Sequence, residues 1–228
     1  MAISRTRVII GSIALVLVAG GSLYAFNATE RFLIRDARFR IATPDSARPF
    51  LQVTGVSHAS VRAIESVFEP DSGQSLYLVP LDERLEALRA IDWVRDASVA
   101  RIWPNRLLVR VTEREPVAFA RLQSTKISLI DAAGVLLPPA KDQFNLPVIV
   151  GIKSTDDLAM RQASVQRMLH LSNDLGQGIM KDVSEIDVTN PENLSITIPH
   201  NGALVKLQLG DRDFSARYQT FLRHSSDI

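Results

Sequence analysis

The stretch WVRDASVARIWPNRLLVRVTEREPVAFA, residues 93–120, reads as two strands joined by a tight turn. Leu107, Val109 and Val111 alternate with Leu108, Arg110, Thr112 and Arg114, so the return strand has one apolar face and one charged face. Between the strands, Pro104 presets φ at the first central turn position, and Asn105 tolerates the left-handed region at the second. This alternation decides how the arginines are read. A phosphate or nucleic-acid site would collect Arg101, Arg106, Arg110 and Arg114, but interleaving with Val and Leu, beside Glu113 and Glu115, describes the solvated side of a sheet. Trp93 and Trp103 are read as packing anchors and not as a base-stacking platform.

Working upstream, LQVTGV at Leu51–Val56 alternates like a strand and stops at Gly55. In SHASVRAIESVFEP, Val61, Ile64 and Phe68 fall at helical spacing behind Ser57 or Ser60 as N-cap, and Pro70 closes the segment. In the next segment Leu81, Leu85, Leu88 and Ile91 form one stripe, with Asp82, Glu83, Arg84, Glu86 and Arg89 on the remaining surface of a second amphipathic helix.

The N-terminus has a different character. Val8–Phe26 is a run of 19 residues without a charge. At ~1.5 Å per helical residue it spans roughly 28 Å, the hydrocarbon thickness of a bilayer. Arg5 and Arg7 are the only charges before it, which keeps the N-terminus cytoplasmic and exports the rest. A cleaved signal peptide is the alternative, but Tyr24 and Phe26 occupy the exit where small residues would stand. Residues 27–49, with Pro44 and Pro49, read as an extended connector.

Composition excludes several functions. After removing Arg5 and Arg7 from the 26 basic residues, 24 face 25 acidic ones beyond residue 26, so no basic footprint for nucleic acid remains. The chain has no cysteine, hence neither disulfides nor thiol chemistry. His58, His170, His200 and His224 are scattered without metal-ligand spacing, and no nucleophile elbow or phosphate loop occurs. Ser57-His58 is read as capping and Asp131 as turn chemistry. No catalytic residue, cofactor or metal is expected.

Downstream of the quoted stretch, Phe119–Leu122 and Lys126–Leu136 read as strands, with turns at Gln123-Ser124 and at Asp131–Gly134. A helix capped by Thr155 follows, with Leu158, Val165, Met168, Leu169 and Leu175 on one face. Val183–Val188, Leu194–Ile198 and Ala203–Leu209 read as strands, the last two joined by Asn201-Gly202, a preferred two-residue hairpin loop. Phe214, Tyr218 and Phe221 mark a closing helix.

The order β-α-α-β-β across residues 50–117 is that of a POTRA domain. The pattern from Trp93 through Ala118, centred on Trp103-Pro104, resembles the FtsQ/DivIB family of bitopic cell-division proteins, as do LIDAAGVLLP, LPVIVG at Leu146–Gly151 and LQLGDRDFSARYQTFL at Leu207–Leu222. The resemblance implies an α+β chain with a cytoplasmic tail at 1–7, a transmembrane helix at 8–26, a connector at 27–49, a POTRA domain at 50–117 and a β domain at 118–228. It further implies a non-enzymatic scaffold of the inner membrane at the division septum. Its bulk would lie outside the cytoplasm, and its partners would be FtsB- and FtsL-like bitopic proteins and, through them, the septal peptidoglycan synthase. A POTRA-bearing transport or secretion component and an anchored cell-wall enzyme are the rival readings.

One departure from the family bears on the site. Family members continue past the closing helix into a further strand that supplies the partner edge, whereas nothing after Phe221 has strand length here. Either the sequence is shortened at Ile228, which the sparse guarding of LVKLQL by Lys206 favours, or the edge moves to Ala203–Leu209. The candidate partner-binding residues are then Val205, Leu207, Leu209, Arg212, Phe214, Arg217, Tyr218 and Phe221. The anchor itself is open to a direct check: residues 30–228 alone are expected to be soluble, and the full chain to require detergent. Full-length protein free in the soluble fraction with Met1 intact would refute the span.

Overall fold

A computed structural model describes residues 5–42, 49–123 and 126–225, with side chains from residue 13 onward; Pro44 and Ser124 lie outside the described residues. The class is α+β, and the chain divides into two compact units, Met1–Thr112 and Glu113–Ile228.

The first unit opens with helix α1, Arg5–Arg35, the one helix among the described residues long and apolar enough to cross a membrane. It corrects the extended connector, because Asn27–Arg35 continues the helix. The side chains of Asn27 and Thr29 bond back to the carbonyls of Leu23 and Ala25, so neither residue interrupts it. At the far end the Ser75 hydroxyl donates to the Leu33 carbonyl at 2.8 Å, satisfying one of the orphan acceptors of the last turn. Asp36 then accepts from the Arg38 amide and starts a short 3-10 turn, Ala37–Phe39.

Strand β1 (Leu51–Thr54), helices α2 (Val61–Val67) and α3 (Leu81–Arg89), and the hairpin of β2 (Val94–Ile102) and β3 (Arg106–Glu113) follow in the expected order. The sheet order is β1-β3-β2, with β1 parallel to β3 and Leu51 opposite Leu107. Ser60, not Ser57, caps α2 by accepting from the Ala63 amide. Ile64, Phe68, Leu88, Leu107 and Val109 are fully buried, whereas Val61 stays half exposed.

Several residues assigned to the surface from sequence have inner partners. Arg84 reaches Asp71, which is only 2% exposed, with bonds of 2.7 and 2.9 Å, and these bonds hold the guanidinium above its usual range. Arg101 donates to the carbonyls of Leu76, Tyr77 and Val79, tying the hairpin to the segment before α3. The hairpin turn also differs from expectation: the Trp103-Pro104 bond is cis, and Asn105 does not adopt positive φ. Trp93 is buried at 4% exposure and stacks on His58, but Trp103 is 48% exposed and is no core anchor.

The second unit is a seven-stranded sheet in the order β10-β9-β8-β7-β4-β5-β6. Its strands are β4 (Pro116–Arg121), β5 (Ile127–Asp131), β6 (Leu136–Leu137), β7 (Val148–Val150), β8 (Glu185–Asp187), β9 (Leu194–His200) and β10 (Ala203–Gly210). The pairs β4–β7 and β7–β8 are parallel and the rest antiparallel. Register places Ala120, Ile149, Ile186, Ile196 and Leu207 in one row across five strands, and every member is buried. Val165, Met168, Leu171 and Leu175 of helix α4 (Leu158–Met180) and Phe214 and Tyr218 of helix α5 (Phe214–Ser225) complete this core.

The ends of both helices are held by carboxylates. Asp157, not Thr155, caps α4, and Leu158 is exposed. Asp174 of α4 accepts from the Ser215 amide at the start of α5. Turn chemistry at Asp131 is richer than expected: its carboxylate accepts from the amides of Ala133 and Val135, and also from Arg114 at 2.8 Å. Arg114 therefore leaves the solvated face to which alternation assigned it. At Gly134 φ is +80°, and an added Cβ would meet the Gln162 backbone at 2.5 Å, so only glycine lets α4 close on the turn.

The two kinds of arginine separate in a denaturation experiment. Arg84→Ala leaves Asp71 buried and unpaired and is expected to cost about 3–5 kcal/mol, while Arg110→Ala stays within about 0.5 kcal/mol. Likewise Trp93→Ala should cost about 3–5 kcal/mol and Trp103→Ala about 1 kcal/mol, read as urea midpoints of the full chain in detergent.

Candidate functional site

The site sits where the larger sheet stops. Strand β10 is at one end of the strand order, and its eight residues contrast with the two-residue β6 at the other end. The loop before β10 fixes which of its atoms are free. Asn201 and Gly202 have φ of 50° and 81°, the left-handed pair of a two-residue hairpin loop. The flanking pair, His200 and Ala203, is the hydrogen-bonded kind, and the kind alternates along the ladder. Val205 and Leu207 therefore direct their N–H and C=O groups to β9. Leu204, Lys206 and Gln208 direct theirs outward. The Thr197 carbonyl confirms this phase, because it accepts from the Ser184 amide on the other side and is thus turned away from Lys206.

This phase sorts the residues anticipated from sequence. Leu207, Leu209, Phe214 and Tyr218 are buried between sheet and helices, and Val205 is partly buried against the same core. Phe221 is half-buried, with its ring edge-to-face to His200 at 5.4 Å. Arg212 is exposed. Arg217 lies over Gly210, whose lack of a Cβ makes room for the guanidinium. Of the eight, Arg212 and Arg217 are open beside the strand, and Val205 and Phe221 are partly so. Sequence reasoning missed Leu204, Lys206 and Gln208, although the Asn201-Gly202 loop already determines their outward phase.

Electrostatics and shape distinguish the two faces along this edge. On the solvent side, Lys206 donates to Asp187 at 2.6 Å across β9, and Arg121 pairs with Glu185 at 2.6 Å. Burial pushes the Asp187 carboxyl up, but hydrogen bonds from Lys206 and Thr189 outweigh it and hold the group below its ordinary value of 3.8. Leu204 is 72% exposed and borders a groove of about 540 Å³ whose walls include Leu146, Pro147, Met180, Val183 and Pro199. The groove is also lined by Asn145, Gln177, Lys181, Asp182 and Ser184, so an exposed strand edge beside it can accept backbone hydrogen bonds and a side chain that meets both apolar and polar walls.

The histidines do not converge. His58 stacks on Trp93, His170 meets Phe214, His200 meets Phe221, and His224 contacts the Thr220 carbonyl. Among the described residues no group of three His or carboxylate side chains is placed to hold a metal.

A β-α-α-β-β unit behind one apolar helix and ahead of a mixed sheet is the architecture of a POTRA-bearing chain, and comparison with known proteins narrows it further. Residues 51–114 match the POTRA domain of FtsQ type, and residues 118–228 match the C-terminal domain of cell division protein FtsQ/DivIB. The chain is 33% identical to the cell division protein FtsQ of Koribacter versatilis, over 98% of this chain and 64% of that protein. It is 31% identical to the FtsQ of Bordetella pertussis, over 48% of this chain and 40% of that protein. Against the FtsQ of Bradyrhizobium diazoefficiens it is 29% identical, over 63% and 41% respectively. The chain belongs to the FtsQ/DivIB family of cell-division proteins. It spans less than two thirds of the length of each of these relatives.

The lowered Asp187 has a pH consequence. A carboxylate depressed on folding stabilises above its unfolded value and ceases to do so as pH falls through the folded one. The Lys206 pair is half exposed, so its share is roughly 0.2–1 kcal/mol. Asp187→Asn is expected to narrow the gap to wild type on going from neutral pH to below the ordinary carboxylate range. An unchanged gap in urea midpoints would contradict the assignment.

Proposed function

We propose that this chain is a membrane-anchored scaffold that takes up a division partner as an added strand along β10. The observation that carries the reading is the outward phase of the Leu204, Lys206 and Gln208 backbone at an end of the sheet. A partner segment running beside β10 would satisfy those donors and acceptors, while the Leu204 groove would select an apolar side chain and Arg212 and Arg217 an acidic one. Family resemblance supports an FtsB-like bitopic protein as that partner, with an FtsL-like protein and the septal peptidoglycan synthase reached through it. In this reading α1 is a single span with a cytoplasmic N-terminus, and both units lie on the outer side of the inner membrane. The chain binds and positions, and the chemistry belongs to its partners.

A proline at an outward position tests this reading without breaking the β9 ladder, since it removes only a free N–H. Lys206→Pro is expected to weaken capture of an FtsB-like partner about ten-fold or more, equivalent to about 1.4 kcal/mol. Lys206→Ala, which loses the ion pair but keeps the N–H, should stay within about three-fold, the scale of a surface pair. Equal capture by all three chains, measured by co-purification in detergent, would move the partner away from β10.

A further inference from the structure

The first unit carries an aromatic and basic cluster that neither the strand-addition site nor the core uses. Phe32 near the end of α1, Phe39 after it and Trp103 in the β2–β3 turn form a chain of edge-to-face rings, with centroids 5.6 and 5.5 Å apart. A core cluster would be covered, yet Phe32 is 49% and Trp103 48% exposed. One cation lies against the rings, and others neighbour them in sequence. The Arg38 guanidinium stands 5.6 Å from the Phe32 centroid, and Arg31, Arg35, Arg40 and Arg106 are exposed without an ion pair among the described residues. Of the two acids in residues 30–40, Asp36 is taken up by Arg38.

Position along α1 says what faces this cluster. Phe32 stands six residues beyond Phe26, where the uncharged run ends, hence about 9 Å further along the axis. The headgroup layer of one leaflet is roughly 5–8 Å deep. Side chains on a helix lean toward its N-terminus, so the Phe32 ring points back toward the bilayer. The last turn of α1 is held to the same unit by the Ser75 hydroxyl on the Leu33 carbonyl and by the pairing of Arg40 with Ser75. The β2–β3 turn is therefore carried at a set height by α1. Half-exposed aromatic rings flanked by arginines are the composition that settles at the boundary between acyl chains and water.

We propose that the Trp103 turn is a second membrane contact of this chain: Trp103, Phe32 and Phe39 lie among phospholipid headgroups, and Arg31, Arg35 and Arg106 engage the phosphates of anionic lipids. This rests on the reading of α1 as a membrane span. The contact would fix the tilt of the first unit over the bilayer, which a single span would leave free.

The chain's two tryptophans allow a direct test. The full chain is reconstituted into phosphatidylcholine vesicles, with and without phosphatidylglycerol, carrying a nitroxide either at the headgroup or at the end of the acyl chain. The headgroup nitroxide is expected to remove roughly half of the tryptophan emission, the share of Trp103, since Trp93 is buried. Trp103→Phe should abolish this loss, the deep nitroxide should cause little, and Arg35→Gln with Arg106→Gln should cancel the increase produced by phosphatidylglycerol. Equal headgroup quenching of wild type and Trp103→Phe overturns the proposal. So does a Trp103 that is open to aqueous iodide in lipid alone and shielded only when division partners are added, which would assign the surface to a protein. Vesicle flotation separates the underlying reading: a chain that does not float removes the span and this contact together, whereas one that floats with Trp103 unquenched removes only the contact.

Discussion

The two-residue loop at Asn201-Gly202 is the constraint from which the site follows. Once both residues take the left-handed region, His200 and Ala203 must pair, and the direction of β10 is fixed as far as Gln208, beyond which the register shifts. Val205, Leu207 and Leu209 turn toward the core, Leu207 closing the row that begins at Ala120, and the outward backbone falls to Leu204, Lys206 and Gln208. In the proposed reading, stability and recognition are thus divided between alternate residues of one strand. The division also explains how an open edge coexists with a sound core, since none of the outward groups is needed to hold the sheet together.

The same economy governs the charged residues. Arg84, Arg101 and Arg114 spend their donors on Asp71, on the carbonyls of Leu76, Tyr77 and Val79, and on Asp131, and they brace two short 3-10 segments and the end of β5. Arg110, on the same strand as the buried Leu107 and Val109, carries no such duty. Asp131 joins a turn to a distant arginine, and Gly134 beside it lets α4 approach, so one short motif sets the corner of the second unit.

Much of this architecture is legible from residues 93–120 and their neighbours. Alternation in β3, the helical stripe of Leu81, Leu85 and Leu88, and the Asn201-Gly202 loop each act over a few residues, and local periodicity reports them faithfully. What escaped depends on distance or on phase. Arg84, Arg101 and Arg114 meet partners 13 or more residues away, which alternation cannot sense. Residue type alone predicts a buried Trp103, yet its place in a turn leaves half of it open. Continuation of α1 through Arg35 was obscured by the prolines beyond it. For the site, the sequence pattern marks the apolar side chains, whereas in an edge strand the inward apolar residues serve the core and the free backbone belongs to their neighbours.

Amide exchange along β10, followed residue by residue by NMR with and without an FtsB-like segment, tests the central claim most directly. In the free chain the amides of Ala203, Val205 and Leu207 should exchange slowly and those of Leu204, Lys206 and Gln208 fast, and the partner should slow the fast set alone within this strand. Fast exchange at Leu204, Lys206 and Gln208 that persists in a saturated complex, with new protection appearing on another element, would contradict the account.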